Sequence, residues 1–274
     1  MQMDNALRDN PELAESYDRI SHGQFKLGCI LAERMGIKNG DQLLDVGCGT
    51  GQLSLHLSKI VGASGSVIGL DPSPHRINIA NGKLGDWTPH NVRFQIGHAE
   101  DLGVFSEGIF DGICYSSVFH WIDDKRAALT EAHRVLKNGG KVGITTLNKD
   151  EPSSFRTIIA KVLKEQNYLR QSRNKEGSSR PIAAEELYDS LAEAGFSRIT
   201  IERYSMKRHY SDPEDALKFY EASSFGNLLR SVPDDLREKI RVDLELEMEK
   251  RRTEKGIELL SNVILAIVEK EAQG

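Results

Sequence analysis

Cysteine is scarce in this chain of 274 residues: Cys29, Cys48 and Cys114 are the only three. An odd number cannot pair into a closed disulfide framework, and no two of them form a CxxC that would suggest structural zinc. Reduced, mostly buried thiols are the expectation. Long apolar runs are missing too. Val263–Val268 is six residues long and stops at Glu269, far short of the roughly 18–20 a membrane helix needs. The first twenty residues hold no basic stretch followed by an apolar one, so a secretory signal is not expected there, and the reading is of a cytoplasmic protein with no membrane partner. Nor is there an excess of positive charge: 36 Lys and Arg stand against 41 Asp and Glu, a net charge of −5. A general nucleic-acid binder needs a phosphate-neutralising face, so that class is disfavoured. Repeats and low-complexity tracts are absent. The length suits one large domain or one domain with an appendage.

What is present is an alternation of short apolar runs and helix-length segments. Residues 23–36 carry Phe25, Leu27, Ile30, Leu31 and Met35 at helical spacing, closed by Gly36. Strands are expected at 42–46, 66–71, 91–96, 110–116 and 141–147, with helices at 52–61, 72–82 and 124–136 between them. Such an alternation implies βαβ units and a parallel sheet with right-handed crossovers. Beyond residue 148 the pattern loosens: a helix at 153–168, a polar loop at 170–180, a helix at 183–195, a strand at 196–204, helices within 212–255 and a last strand at 262–270.

The sharpest local signal is Leu43-Leu-Asp-Val-Gly-Cys-Gly-Thr-Gly51. An apolar strand runs straight into glycines, and a helix follows. Ligands of open α/β sheets bind outside the carboxyl ends of the strands, where such turns lie. Glycine admits positive φ and close ligand approach, and the following helix presents free N–H groups. A triphosphate loop would need Lys after the last glycine, and none is there. A dinucleotide turn would place its third glycine at position 52, which is Gln52. The second strand ends in Asp71, a carboxylate able to accept both hydroxyls of a ribose. Ribose without a pyrophosphate fits an adenosyl ligand better than NAD.

These residues resemble the class I S-adenosylmethionine-dependent methyltransferases, on the small-molecule branch. The segments LLDVGCGTGQLSLHLSK, SVIGLDPSPHRINIA, VRFQIGHAEDL, FDGICYSSVFHWIDDK and ALTEAHRVLKNGGKVGI stand in the family's order and cover residues 41–147. The resemblance implies an α/β fold: a Rossmann-like, seven-stranded, mostly parallel sheet with helices on both faces, its last strand antiparallel, plus a helical lid. By that reading residues 1–36 form an N-terminal lid, 37–149 the cofactor-binding core, and 150–274 the rest of the sheet with lid insertions.

Carried over by position, the resemblance implies that Asp45, Gly47, Cys48, Gly49 and Gly51 cradle the methionine part of S-adenosylmethionine. Asp71 would hold the ribose hydroxyls, with Pro72 and Ser73 beside it. The third segment departs from the family's Gly-Asp-Ala: it reads Gly97-His-Ala-Glu100. Ala99 N–H can face the adenine edge, while His98, Glu100 or solvent takes the amino group. Ser116 ends the fourth strand, between cofactor and acceptor. Tyr17 resembles a lid tyrosine; the plainer reading is an aromatic on a helix face.

Three further groups admit two readings each. His120 can be a general base, since an unperturbed imidazole titrates near neutrality, or it can cap Asp123–Asp124 or pack on Trp121. Trp121, Phe219, Tyr220 and Phe225 can line an acceptor pocket or simply fill the core. Arg170, Arg173, Lys175 and Arg180 read as a solvated linker or as a clamp for an anionic substrate. The expected reaction is methyl transfer from a sulfonium to oxygen, nitrogen or sulfur of a small apolar or aromatic acceptor. Positioning supplies most of the rate in such a reaction, and no metal is called for. A relative that uses the same pocket for cyclisation or rearrangement is the alternative. An arsenite acceptor would need converging thiolates, which this spacing does not offer.

Overall fold

The computed structural model describes residues 9–85, 90–165, 179–229 and 232–271. Two helices, α1 (Pro11–Ile20) and α2 (His22–Met35), precede β1 (Gln42–Val46), α3 (Gln52–Val61), β2 (Ser66–Asp71), α4 (Pro74–Gly82), β3 (Val92–Ile96) and β4 (Phe110–Ser116). There follow one 3₁₀ turn (Phe119–Trp121), α5 (Lys125–Val135), β5 (Leu136–Leu147), α6 (Ser154–Glu165), α7 (Ala184–Glu193) and β6 (Phe196–Tyr210). The chain then forms α8 (Pro213–Ser223), α9 (Asp234–Glu249), the two-residue β7 (Arg252–Thr253) and β8 (Gly256–Lys270).

The sheet order is β3-β2-β1-β4-β5-β8-β6, with β7 paired to β8 off that path. Strands β1 to β5 pair in parallel. The last strand, β8, inserts antiparallel between β5 and β6. This is the expected fold, with one minor strand added. Strands β1 and β2 are buried nearly end to end, as parallel strands covered on both faces must be. Helices α2, α3 and α4 pack one apolar cluster against one face, and α5 and α7 close a second against the other. A third cluster sits under α6, α8 and α9, where Phe155, Leu217, Leu244 and Met248 meet Ile257 and Leu259 of β8.

Three expected boundaries moved for identifiable reasons. Helix α4 starts at Pro74 rather than Pro72, because the Ser73 hydroxyl accepts the Arg76 N–H and serves as the N-cap. Strands β6 and β8 each run several residues further than their apolar patterns suggested. They pair as one long ribbon from Thr200↔Ile267 to Tyr210↔Ile257, and the stretch from Ser205↔Asn262 onward runs past the end of β5. There the face of β8 carrying Ile257 and Leu259 is buried by α6, α8 and α9 instead of by the core helices.

Candidate active site

The ends of β1, β2 and β4 converge on one cavity of about 420 Å³. At its floor the β1 turn uses its glycines for definite reasons. Gly47 has φ +70, and a Cβ there would lie 2.2 Å from Val118 Cγ2. Gly49 has φ +55 and lies under the Tyr17 ring, 3.2 Å from where its Cβ would stand. The turn is pinned by Gly47 N–H and Cys48 N–H, which both donate to the Leu70 carbonyl. Gly51, φ +83, opens α3 with no side-chain cap on its first N–H groups.

Two buried carboxylates lie beneath and beside this turn. Asp71 accepts the N–H of Gly49 and of Ser73, both at 2.9 Å. Burial raises its pKa, opposed by Arg76 and by those two backbone donors. Asp45 accepts the Ser54 hydroxyl at 2.6 Å, and burial, with Asp71 nearby, pushes its pKa up to about 7. No cation pairs with Asp45 among the described residues. A pocket that ends in open glycines, a half-engaged carboxylate at the second strand and an unneutralised carboxylate below fits a ligand with ribose hydroxyls and an ammonium group.

The N-terminal segment closes over that floor. Asp18 of α1 accepts from Thr50 Oγ1 at 2.6 Å, its backbone carbonyl accepts from Gln52 Nε2 at 2.7 Å, and Lys83 pairs with its carboxylate. Burial alone would raise the Asp18 pKa, but the donors Lys83, Thr50 and Gln52 outweigh it and hold it low. Arg76 forms a second fastening. Its Nε donates to Asp9 at 2.8 Å, its Nη2 donates to the Ala222 carbonyl at 3.0 Å, and both partners of the ion pair are buried. The guanidinium lies 4.2 Å from the Tyr17 ring centroid and 4.0 Å from that of Phe225. One side chain thus ties residue 9, α1, α4 and the end of α8 together.

The far wall is aromatic. Phe155 and Tyr220 stack at 3.6 Å, 8° from parallel, and Trp121 meets Phe225 edge to face at 5.6 Å. Ser117 and Phe225 both hold positive φ, +59 and +55, which non-glycine residues rarely adopt. Ser117 N–H is held by the Thr145 hydroxyl at 2.9 Å, and Phe225 is followed by Gly226, also at positive φ. Between wall and floor sits His120, only 7% exposed, with Nδ1 3.4 Å from Thr146 Oγ1 and its ring 5.3 Å from Trp121. Burial, then the Arg156 and Lys125 charges, lower its pKa to about 3. The near-neutral titration that motivated a general base is therefore lost on folding.

Of the residues singled out in the sequence, Tyr17, Gly47, Asp71, Ser116, His120, Trp121, Phe219, Tyr220 and Phe225 line this one cavity. Asp45, Gly49 and Gly51 lie behind that lining, in or under the turn. Cys48 turns its thiol into the core, against Phe94 and Gly69, so only its backbone is on the ligand's side. Ala99 is buried in the opposite cluster, and Glu100 borders a separate groove with Asp124 and Arg134. The structure does not bring those two, or Pro72, to the cavity lining. Arg170, Arg173 and Lys175 lie outside the described residues. Arg180 is engaged elsewhere: it pairs with Asp123 at 3.1 Å, and its N–H donates to the His120 carbonyl at 2.7 Å. Sequence reasoning missed Asp9, Arg76, Arg156, Thr146 and Arg208. They come from separate stretches of the chain, and only the fold gathers them.

A family described as "Methyltransferase domain" matches residues 44–144. A demethylmenaquinone methyltransferase of Oceanobacillus iheyensis is 30% identical over 188 residues, 63% of this chain and 76% of that protein. An arsenite methyltransferase of Aquipseudomonas alcaligenes is 32% identical over 146 residues, 51% of this chain and 41% of that one. The fold matches phosphoethanolamine N-methyltransferase 2 of Haemonchus contortus, solved with S-adenosyl-L-methionine, at a TM-score of 0.62 and 16% identity, over 96% of this chain and 58% of that one. The chain belongs to the class I S-adenosylmethionine-dependent methyltransferases. It is an enzyme, and S-adenosylmethionine is its cofactor.

Proposed function

We propose that the enzyme methylates a small, largely apolar or aromatic metabolite on oxygen, nitrogen or sulfur, within an enclosed site. The observation that carries this reading is the continuity of one cavity, from the glycine turn and Asp71 to the aromatic wall of Trp121, Phe155, Phe219, Tyr220 and Phe225. A lid of α1 and α8 fastened over the floor leaves space for a small acceptor rather than for a folded macromolecule.

Gly47, Gly49 and Asp45 hold the amino-acid end of the cofactor, and Asp71 its ribose. When bound, the cofactor supplies an electrophilic methyl group on a sulfonium. Trp121, Phe219, Tyr220 and Phe225 exclude water and orient the acceptor for in-line attack, and alignment at about 3–3.5 Å is itself worth several kcal/mol. His120, neutral across the physiological range, offers a hydrogen bond that places the acceptor rather than a strong base. Arsenite finds no thiolate cluster here, since none of the three cysteines lines the cavity.

The test is incubation with methyl-labelled cofactor and fractionated metabolite extracts. Label in a small organic product supports the reading, and label only in tRNA or folded protein overturns it. Cofactor binding with substrate consumed but no label transferred would move the protein to the cyclisation and rearrangement class.

A further inference from the structure

Two further guanidinium groups line the acceptor half of the cavity. Arg156 reaches the cavity from α6 and Arg208 from β6. No carboxylate among the described residues pairs with either of them. Arg156 Nη1 donates to the Ser179 hydroxyl at 2.8 Å, and Arg208 Nη1 donates to Gln24 Oε1 at 3.3 Å. The Arg208 guanidinium otherwise lies 4.9 Å from the Phe219 ring centroid and beside the Tyr210 hydroxyl, and its Nε is buried with no partner in good hydrogen-bond geometry. On the same cavity, both polar atoms of the Asn227 side-chain amide are buried without a partner. Buried donors left open at a cavity mark where a ligand's acceptors belong.

The charge balance points the same way. Asp71 is the one carboxylate among the cavity's described lining residues, and Arg76, Arg156 and Arg208 are its three cations. Asp71 sits at the cofactor end, and Arg76 is already paired with Asp9. A sulfonium placed nearby adds positive charge. Leaving Arg156 and Arg208 without a counter-charge beside it is costly where solvent is scarce, whereas an anion seated against either one relieves it. Burial alone is what lowers the Arg156 pKa, and its charge in turn bears on His120. A seated anion reverses that pressure. The planar fork of arginine matches oxyanions that accept two hydrogen bonds at once.

We infer that the acceptor is an amphiphilic anion: an apolar body against Phe155, Ile159, Leu163 and Leu228, carrying a carboxylate or phosphate monoester received by Arg156 and Arg208. This rests on the small-molecule reading above and deepens it.

The experiment uses the full chain saturated with S-adenosylhomocysteine, whose own binding is measured first by calorimetry. Matched probes are then titrated: decanoate, decyl phosphate and decanamide, and 4-phenylbutyrate with its amide. The expected result is at least about tenfold tighter binding of an anion than of its amide, lost in Arg156→Gln or Arg208→Gln while the S-adenosylhomocysteine affinity is retained. Preference for decanoate or for decyl phosphate identifies the head group, and either one supports the inference. Amides binding as well as acids in both sets, no measurable binding of any anion, or a preference that survives both substitutions overturns it. Failure of S-adenosylhomocysteine to bind would instead strike the functional reading.

Discussion

Removing the Arg76 side chain isolates what holds the lid shut. In Arg76→Leu the Asp9 carboxylate stays buried with the Ser73 hydroxyl at 2.7 Å as its remaining donor, and its Oδ1 already has no partner. Stranding one charge of a buried pair costs about 3–5 kcal/mol. The reverse change, Asp9→Ala, is milder. The guanidinium keeps the Ala222 carbonyl and the faces of Tyr17 and Phe225, so the loss is that of a buried donor made partly idle, about 1–3 kcal/mol. The double variant removes both charges and should cost no more than Arg76→Leu alone, leaving a coupling of about 1–3 kcal/mol. The assay is native-state hydrogen exchange of the α1 amides, which reads local opening, with urea unfolding of the whole chain alongside. Equal losses for the two single variants, an additive double variant, or unchanged α1 protection in Arg76→Leu would refute the latch.

Four more outcomes follow from the same geometry. Asp71→Asn should weaken S-adenosylhomocysteine binding by about 1–3 kcal/mol in calorimetry, and an unchanged affinity would remove Asp71 from the site. Asp45 titrates near 7 in the free protein, so an ammonium placed beside it should release a proton. Binding heat at pH 7 should then vary with the buffer's ionisation enthalpy in the wild type and lose that dependence in Asp45→Asn. For His120 the folded pKa of about 3 lies below the unfolded value, so the unfolded chain takes up the proton first. Stability should therefore fall as pH drops below about 6.5, and His120→Gln should flatten that decline in urea midpoints; parallel curves would contradict a buried neutral imidazole. Gly47→Ala, forced to positive φ against Val118, should abolish cofactor binding or folding, whereas Gly82→Ala, with open space around it, should do neither by circular dichroism and calorimetry.

The sequence by itself determined the parallel half of the sheet. Strands β1, β2 and β4 and helix α3 begin and end where the residues predict, because apolar runs that must be buried on both faces abut glycines that only a turn can use. The cofactor followed from the same local signal, since a glycine turn and a carboxylate at the next strand end are neighbours in any such fold. The length of the β6–β8 ribbon was not legible: residues such as Lys207 and Arg208 read as polar until α8 packs over that end of the sheet. The fate of His120 was hidden too, because its pKa is set by burial and by Arg156, 36 positions away in the chain. Nothing in the stretches around Asp9, Arg76, Arg156 or Arg208 marks where each side chain ends up. Electrostatic partnership depends on distance in space and on lost solvent, and only the tertiary structure decides either.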